Sequence, residues 1–247
     1  MTHRFGFGAN WLRYATHLTP ERIAQAVESL KANLPPLQGK RFLDAGSGSG
    51  LFSLAAHQLG ARVHSFDYDP DSVESTRRLS QGHWPVEQGS VLDPDYLKAL
   101  GRFDVVYSWG VLHHTGDMWR ALELVAPMAT DRLFIAIYND QGLRSRYWQV
   151  AKRLYNQGPV QRTAMIVVHL PILAARILVR TVTRRLKESR GMSLWYDYID
   201  WLGGFPFEVA TREEIRRFFE ERGYELEREI SVGNRSGCNQ FVFRRVH

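Results

Sequence analysis

Cysteine is almost absent. Cys238 is the only one in 247 residues, which excludes an intramolecular disulfide framework and any metal cluster built on several thiolates, and fits a reducing compartment. Long hydrophobic runs are scarce as well. The most apolar stretch, AMIVVHLPILAARILV at 164–179, is interrupted by His169, Pro171 and Arg176, so a conventional membrane-spanning helix is not expected. The opening MTHRFGFGANWLRY lacks the apolar centre of a secretory signal, and the expected location is the cytoplasm. There is no internal repeat and no low-complexity tract, and no metal site is expected. What remains, 44% hydrophobic and 12% aromatic residues, is enough to bury a core as one domain carrying an insertion.

Acidic residues are missing from one region in particular. The net charge is +6 over the whole chain. Between Gln141 and Arg190 there are eleven Lys or Arg and a single acid, Glu188, whereas the rest of the chain holds 21 bases against 25 acids. The basic character belongs to that segment alone, and any reading of partners starts there.

Hydrophobic periodicity gives a βαβ alternation. A helix at 20–34 begins with Pro20 and ends before Pro35 and Pro36; apolar runs follow at 41–45, 62–67, 103–108 and 132–138, with a weaker strand at 84–88. Helical stretches lie between them at 50–60, 70–81 and 117–129. Runs such as FDVVYSW and RLFIAIY are apolar throughout, as strands of a parallel sheet covered on both faces are. A long basic and apolar helical region comes next, then a helix at 211–222 and two strands, YELEREIS and CNQFVFRRV.

The strand at 41–45 runs into LDAGSGSG, and this turn lacks two things. Counting from Gly46, the third glycine of a dinucleotide fingerprint is replaced by Leu51, and no lysine is present to make a phosphate-binding loop. It has instead Asp44 before Gly46, Gly48 and Gly50, and a second acid, Asp67, at the end of the next strand. Acids in these places suit a ligand with an amine and a ribose: Asp44 to hold an ammonium group, Asp67 to accept from ribose hydroxyls. Asp69, before Pro70, reads as a helix cap.

LDAGSGSG, HSFDYDP, QGSVLD and FDVVYSWGVLHHTGDMWRAL together resemble the class I S-adenosylmethionine-dependent methyltransferases, most of all the branch of ubiquinone-type benzoquinol methylases. The resemblance covers 38–139. It implies a Rossmann-like, doubly wound, mostly parallel seven-stranded sheet and S-adenosyl-L-methionine as cofactor, held by Asp44, Gly46, Ser47, Gly48, Gly50, Asp67, Tyr68, Ser90, Val91 and Trp109. Two departures stand out. Ser90 replaces the acid many relatives carry in the third-strand turn, and MATD replaces the usual Pro-Gly-Gly, altering a turn before the fifth strand. The chemistry implied is in-line methyl transfer, with hydroxyl O-methylation of a small lipophilic or aromatic acceptor favoured. Histidine titrates near neutrality, so His114 or His113 is the candidate base, with Tyr138 beside them; Trp109 and Tyr138 offer aromatic faces to a sulfonium.

The expected organisation is an N-terminal arm and helix at 1–37, with Phe5, Phe7 and Trp11 as a candidate cofactor lid; the cofactor core at 38–140; a basic amphipathic insertion at 141–210 as a candidate acceptor cap; and a C-terminal helix and strands at 211–247. On a helical wheel Arg176, Arg180, Arg184 and Lys187 share one side, while Ala175, Leu178, Val179, Val182 and Leu186 share another. Three partners for 162–190 stay open: another face of the protein or a second subunit, an anionic membrane surface on the inner face of the membrane, and nucleic acid, which would make the chain a tRNA-modifying transferase.

Overall fold

The computed structural model describes residue 8, residues 18–182 and residues 201–246, except for the side chains of 173 and 176–182. The expected lid at Phe5, Phe7 and Trp11 lies outside the described residues, as do Arg184 and Lys187 of the basic side of the helical wheel and Leu186 of its apolar side. The chain divides into two units, one of residues 8–141 and 208–247, the other of 1–7 and 142–207.

The larger unit is a seven-stranded sheet in the order β3-β2-β1-β4-β5-β7-β6. Its elements are α1 (Pro20–Asn33), β1 (Arg41–Ala45), α2 (Leu51–Gln58), β2 (Arg62–Asp67), α3 (Pro70–Ser80), β3 (Val86–Gln88), α4 (Pro94–Leu100), β4 (Phe103–Trp109), α5 (Met118–Val125) and β5 (Ala129–Tyr138), and then, past the second unit, α8 (Arg212–Glu220), β6 (Tyr224–Ile230) and β7 (Cys238–Arg245). β1 to β5 pair in parallel, while β7 runs antiparallel to both β5 and β6. The doubly wound, Rossmann-like fold is present. The order reverses between β1 and β4, and in open α/β sheets the crevice at such a switch point, beyond the carboxyl ends of the strands, takes the ligand.

Alternation of side chains along fully covered strands builds two cores. Leu43, Ala45, Val106, Leu133 and Ile135 face one layer of helices; Phe42, Val63, Val105, Tyr107 and Phe134 face the other. Three local departures from expectation have simple causes. MATD is not a turn, because Ala129, Thr130 and Asp131 already belong to β5. α5 stops at Val125 and passes into a 3₁₀ turn at Ala126–Met128, since Pro127 supplies no amide hydrogen. α4 escaped the periodicity, being only seven residues long, although Asp93 before Pro94 is a helix start in miniature: its carboxylate accepts from the amides of Asp95 and Tyr96 at 3.1 and 3.0 Å.

The second unit contains α6 (Leu143–Tyr155) and α7 (Pro159–Val182), so the expected single helical region is broken at 156–158. Their inner faces meet: Tyr155 and Leu202 are buried against Trp148, Met165 and Ile166, and the Trp148 and His169 rings stack at 5.3 Å. Lys152 is 1% exposed. Its ammonium donates to the Trp201 carbonyl and lies 4.4 Å from the Trp201 ring and 4.8 Å from the Phe207 ring. Burial pushes its pKa down to about 7.

Candidate functional site

The glycine turn after β1 is laced to the end of β2. The amides of Gly46 and Ser47 both donate to the Phe66 carbonyl, at 2.9 and 3.1 Å. The amide of Gly48 donates to Asp67 Oδ2 at 2.9 Å and that of Asp69 to Asp67 Oδ1 at 2.9 Å. Asp67 therefore bridges the turns that follow two adjacent strands. Gly46, Gly48 and Gly50 have φ of 87°, 54° and 81°, the left-handed region where glycine alone has no steric cost. Helix α3 braces the turn from beneath, with Thr76 Oγ1 2.9 Å from Ser47 Oγ and donating to the Gly48 carbonyl at 3.2 Å.

Asp44 sits one layer lower, buried at the end of β1. Ser53 Oγ donates to its Oδ2 at 2.5 Å, Ser65 Oγ donates to Ser53 Oγ at 2.9 Å, and Trp84 Nε1 donates to Ser65 Oγ at 3.0 Å. This chain of donors ends on the carboxyl group. Burial raises the Asp44 pKa to about 7 against the pull of Ser53, with nearby Asp67 adding to the rise. Burial likewise raises Asp67 to about 6, opposed by its amide donors. Two carboxyls held this far above the ordinary range stabilise an arriving cation or hydroxyl donor more than solvated ones would.

Beyond β3, Ser90 Oγ accepts from the Leu92 amide at 3.2 Å and thereby closes its own turn, while Val91 belongs to the larger core. Tyr68, just past Asp67, is 57% exposed, and its carbonyl accepts from Gln88 Nε2.

The mouth of β4 and β5 gathers the remaining expected residues. Trp109 ends β4 and Tyr138 ends β5, both half-buried. A 3₁₀ turn at Leu112–His114 follows β4. The His113 ring is buried, 4.0 Å from the Tyr138 ring, and its Nδ1 accepts from the Tyr138 amide at 3.4 Å. His114 is half-buried and meets the Tyr138 ring edge-on at 5.4 Å. Geometry thus separates the two imidazoles: His113 braces the strand end, and His114 is the more accessible. Glu208, which the sequence reading did not single out, fixes this loop. Its Oε2 accepts from the Gly116 amide at 2.9 Å, its Oε1 from the Met118 amide at 3.1 Å, and its own amide donates to the His113 carbonyl at 3.0 Å. The sequence signal for Glu208 is faint, an acid after an aromatic and proline cluster. Ser53 and Ser65 had a clearer one, being hydroxyls inside apolar elements with no solvent to satisfy them.

A family model described as a methyltransferase domain matches residues 43–132. A ubiquinone biosynthesis O-methyltransferase of Cereibacter sphaeroides is 33% identical over 102 residues, 41% of each chain. A ribosomal protein L11 methyltransferase of Anoxybacillus flavithermus is 39% identical over 84 residues, 32% of this chain and 25% of the relative. The matches thus span less than half the length of these curated relatives. Among solved structures, the magnesium protoporphyrin IX methyltransferase of Synechocystis PCC 6803 with bound SAH superposes with a TM-score of 0.55 over 98% of this chain and 89% of that one, at 15% identity, a likeness of fold.

Proposed function

We propose that this chain, which belongs to the class I S-adenosylmethionine-dependent methyltransferases, transfers a methyl group to a hydroxyl of a small lipophilic or aromatic acceptor. The residues around the glycine turn fit the cofactor. Each oxygen of Asp67 accepts one backbone amide and keeps lone-pair capacity for the two ribose hydroxyls. Asp44, tuned by Ser53, supplies negative charge for an ammonium group. When bound, S-adenosylmethionine would supply an electrophilic methyl group on a sulfonium, whose carbon–sulfur bond breaks to leave a neutral thioether that needs no acid to depart.

What the chain must add is alignment, exclusion of water and removal of the acceptor's proton. The observation that carries the reading is the contact of His114 with Tyr138 at the carboxyl end of β5, with Trp109 ending the neighbouring β4. Aromatic faces there suit both a planar acceptor and a nearby cation. His114 takes the hydroxyl proton onto its imidazole, with Glu208 holding its loop in place. The test is incubation of the purified protein and methyl-labelled cofactor with fractionated lipids, metabolites, RNA and ribosomal protein. Label in the lipid or metabolite fraction that survives alkali and is released as methyl iodide by hydriodic acid, as a methyl ether is, supports O-methylation of a small acceptor. Label confined to RNA or protein overturns it and favours a macromolecular acceptor.

A further inference from the structure

Helices α6 and α7 are apolar on two sides. Their inner faces are occupied by each other, as described above. A surface helix ordinarily turns polar residues outward, yet eight of the twelve exposed large hydrophobic residues described lie between 143 and 172. On α6 they are Leu143, Tyr147 and Val150, exposed by 81%, 50% and 59% and spaced to form one stripe. On α7 the spacing repeats through Val160, Ala164, Val167, Val168 and Pro171, all exposed.

Charge identifies what covers these stripes. No Asp or Glu occurs in 142–182 or 201–207, whereas 142–182 contains seven Lys or Arg. Arg146 and Arg153 are exposed on α6 and, at about 100° per residue, lie along one edge of its stripe, with exposed Arg144 on the other. We propose that the outer faces of α6 and α7 form an interfacial surface that rests on a lipid bilayer bearing anionic headgroups. A second copy of the chain docked through the same surface would set the exposed Arg144, Arg146, Arg153 and Arg162 against their own equivalents, with no acid among the described residues of these helices to offset them. Nucleic acid would match the arginines and leave the aliphatic stripes in water. An anionic bilayer satisfies both, taking the stripes into its headgroup boundary and the guanidinium groups onto its phosphates. The proposal is independent of the acceptor's identity, since membrane association requires no turnover.

The experiment is co-sedimentation of the full chain with phosphatidylglycerol-containing vesicles and with phosphatidylcholine vesicles, at low and high salt. It includes two double variants, Leu143→Glu with Val150→Glu, and Arg146→Glu with Arg153→Glu. All four positions are exposed, so cofactor binding and thermal unfolding serve as checks that the variants fold. The wild type should pellet with anionic vesicles at low salt and release at high salt. The arginine variant should lose at least about fivefold in partition for each cation removed, and the apolar variant should lose binding while keeping its cations. Wild type left in the supernatant at low salt overturns the proposal. So does an arginine variant that pellets like wild type, or a lipid-free dimer in sedimentation velocity that the apolar variant converts to monomer.

Discussion

Gly46 stands so close to Val111 that a Cβ placed on the glycine would come within 2.4 Å of a valine methyl carbon. The turn after β1 and the loop after β4 therefore touch across the switch point, and the absence of a side chain permits it. Gly39 is a matched control, since its φ of 72° resembles the 87° of Gly46 while nothing lies within 4 Å of its hypothetical Cβ. Gly39→Ala should cost about 1–2 kcal/mol for the left-handed backbone alone. Gly46→Ala should cost roughly 1–3 kcal/mol more from overpacking and should weaken cofactor binding. Denaturant unfolding of the two variants checks this; equal losses would mean that the contact with Val111 is slack.

On the proposed function, the raised pKa values of Asp44 and Asp67 should make cofactor binding depend on pH. Ribose hydroxyls and an ammonium group favour the ionised carboxyls, so binding should release protons between pH 5.5 and 7.5 and tighten as pH rises through about 6 and 7. For the cofactor-free protein the sign is opposite. A carboxyl with a folded pKa above its unfolded value adds stability that is fully present below the unfolded pKa, about 4, and that is lost as pH rises through the folded value. Calorimetry in buffers of different ionisation enthalpy measures the proton release. Asp67→Ala should weaken binding by about 1.5–3 kcal/mol with the fold intact; unchanged affinity would remove Asp67 from the site.

Glu208 holds two amides of the loop that carries His114. Glu208→Ala should deprotect Gly116 and Met118 in hydrogen exchange and lower turnover by up to about a hundredfold through misplacement, with cofactor affinity little changed. Glu208→Gln, which keeps one carbonyl acceptor, should recover part of both. If the amides of Gly116 and Met118 exchange no faster in Glu208→Ala, the side chain does not position the loop.

His114→Ala should reduce kcat with little effect on cofactor affinity and should flatten the acidic limb of the pH–rate profile, as loss of a base does. A profile of unchanged shape and height would leave His114 without a part in proton transfer.

Lys152 is buried among aromatic rings with its pKa pushed down to about 7. Because the folded value lies below the unfolded one, its contribution to stability is complete above the unfolded pKa and declines as pH falls through about 7. Lys152→Met fills a similar volume without charge and should raise the thermal midpoint near pH 7 while removing that dependence. A variant with the wild-type pH slope would assign the slope to another group.

The parallel strands and the glycine turn facing Asp67 were legible because each rests on short-range pattern: apolar runs for strands covered on both faces, and Asp44, Gly46, Gly48, Gly50 and Asp67 within two consecutive βα units. What was hidden depends on partners far apart in the chain. Glu208 reaches Gly116 across 92 residues, and nothing near Glu208 announces it. His113 and His114 were adjacent and equivalent as letters; only the 3₁₀ turn at Leu112–His114 sets one inward against Tyr138 and leaves the other accessible. MATD was misread because a deviation from a familiar turn was taken as another turn, when β5 simply begins sooner.

The ends of β5 and of the segment returning at Ala210 are sewn together. Ala210 donates to the Tyr138 carbonyl at 3.1 Å, Asp140 donates to the Ala210 carbonyl at 3.0 Å, and Asn139 pairs with Ala210 as a parallel bridge. The chain thus leaves the sheet at Gln141 and re-enters at Glu208 through a gate already shut by its own backbone bonds. Residues 142–207 are in effect a single insertion between two neighbouring positions of the sheet. Replacement of that segment by a short linker should therefore leave every strand register of the sheet untouched, because the bonds that close the sheet at this point belong to Tyr138, Asp140 and Ala210 and not to the segment itself.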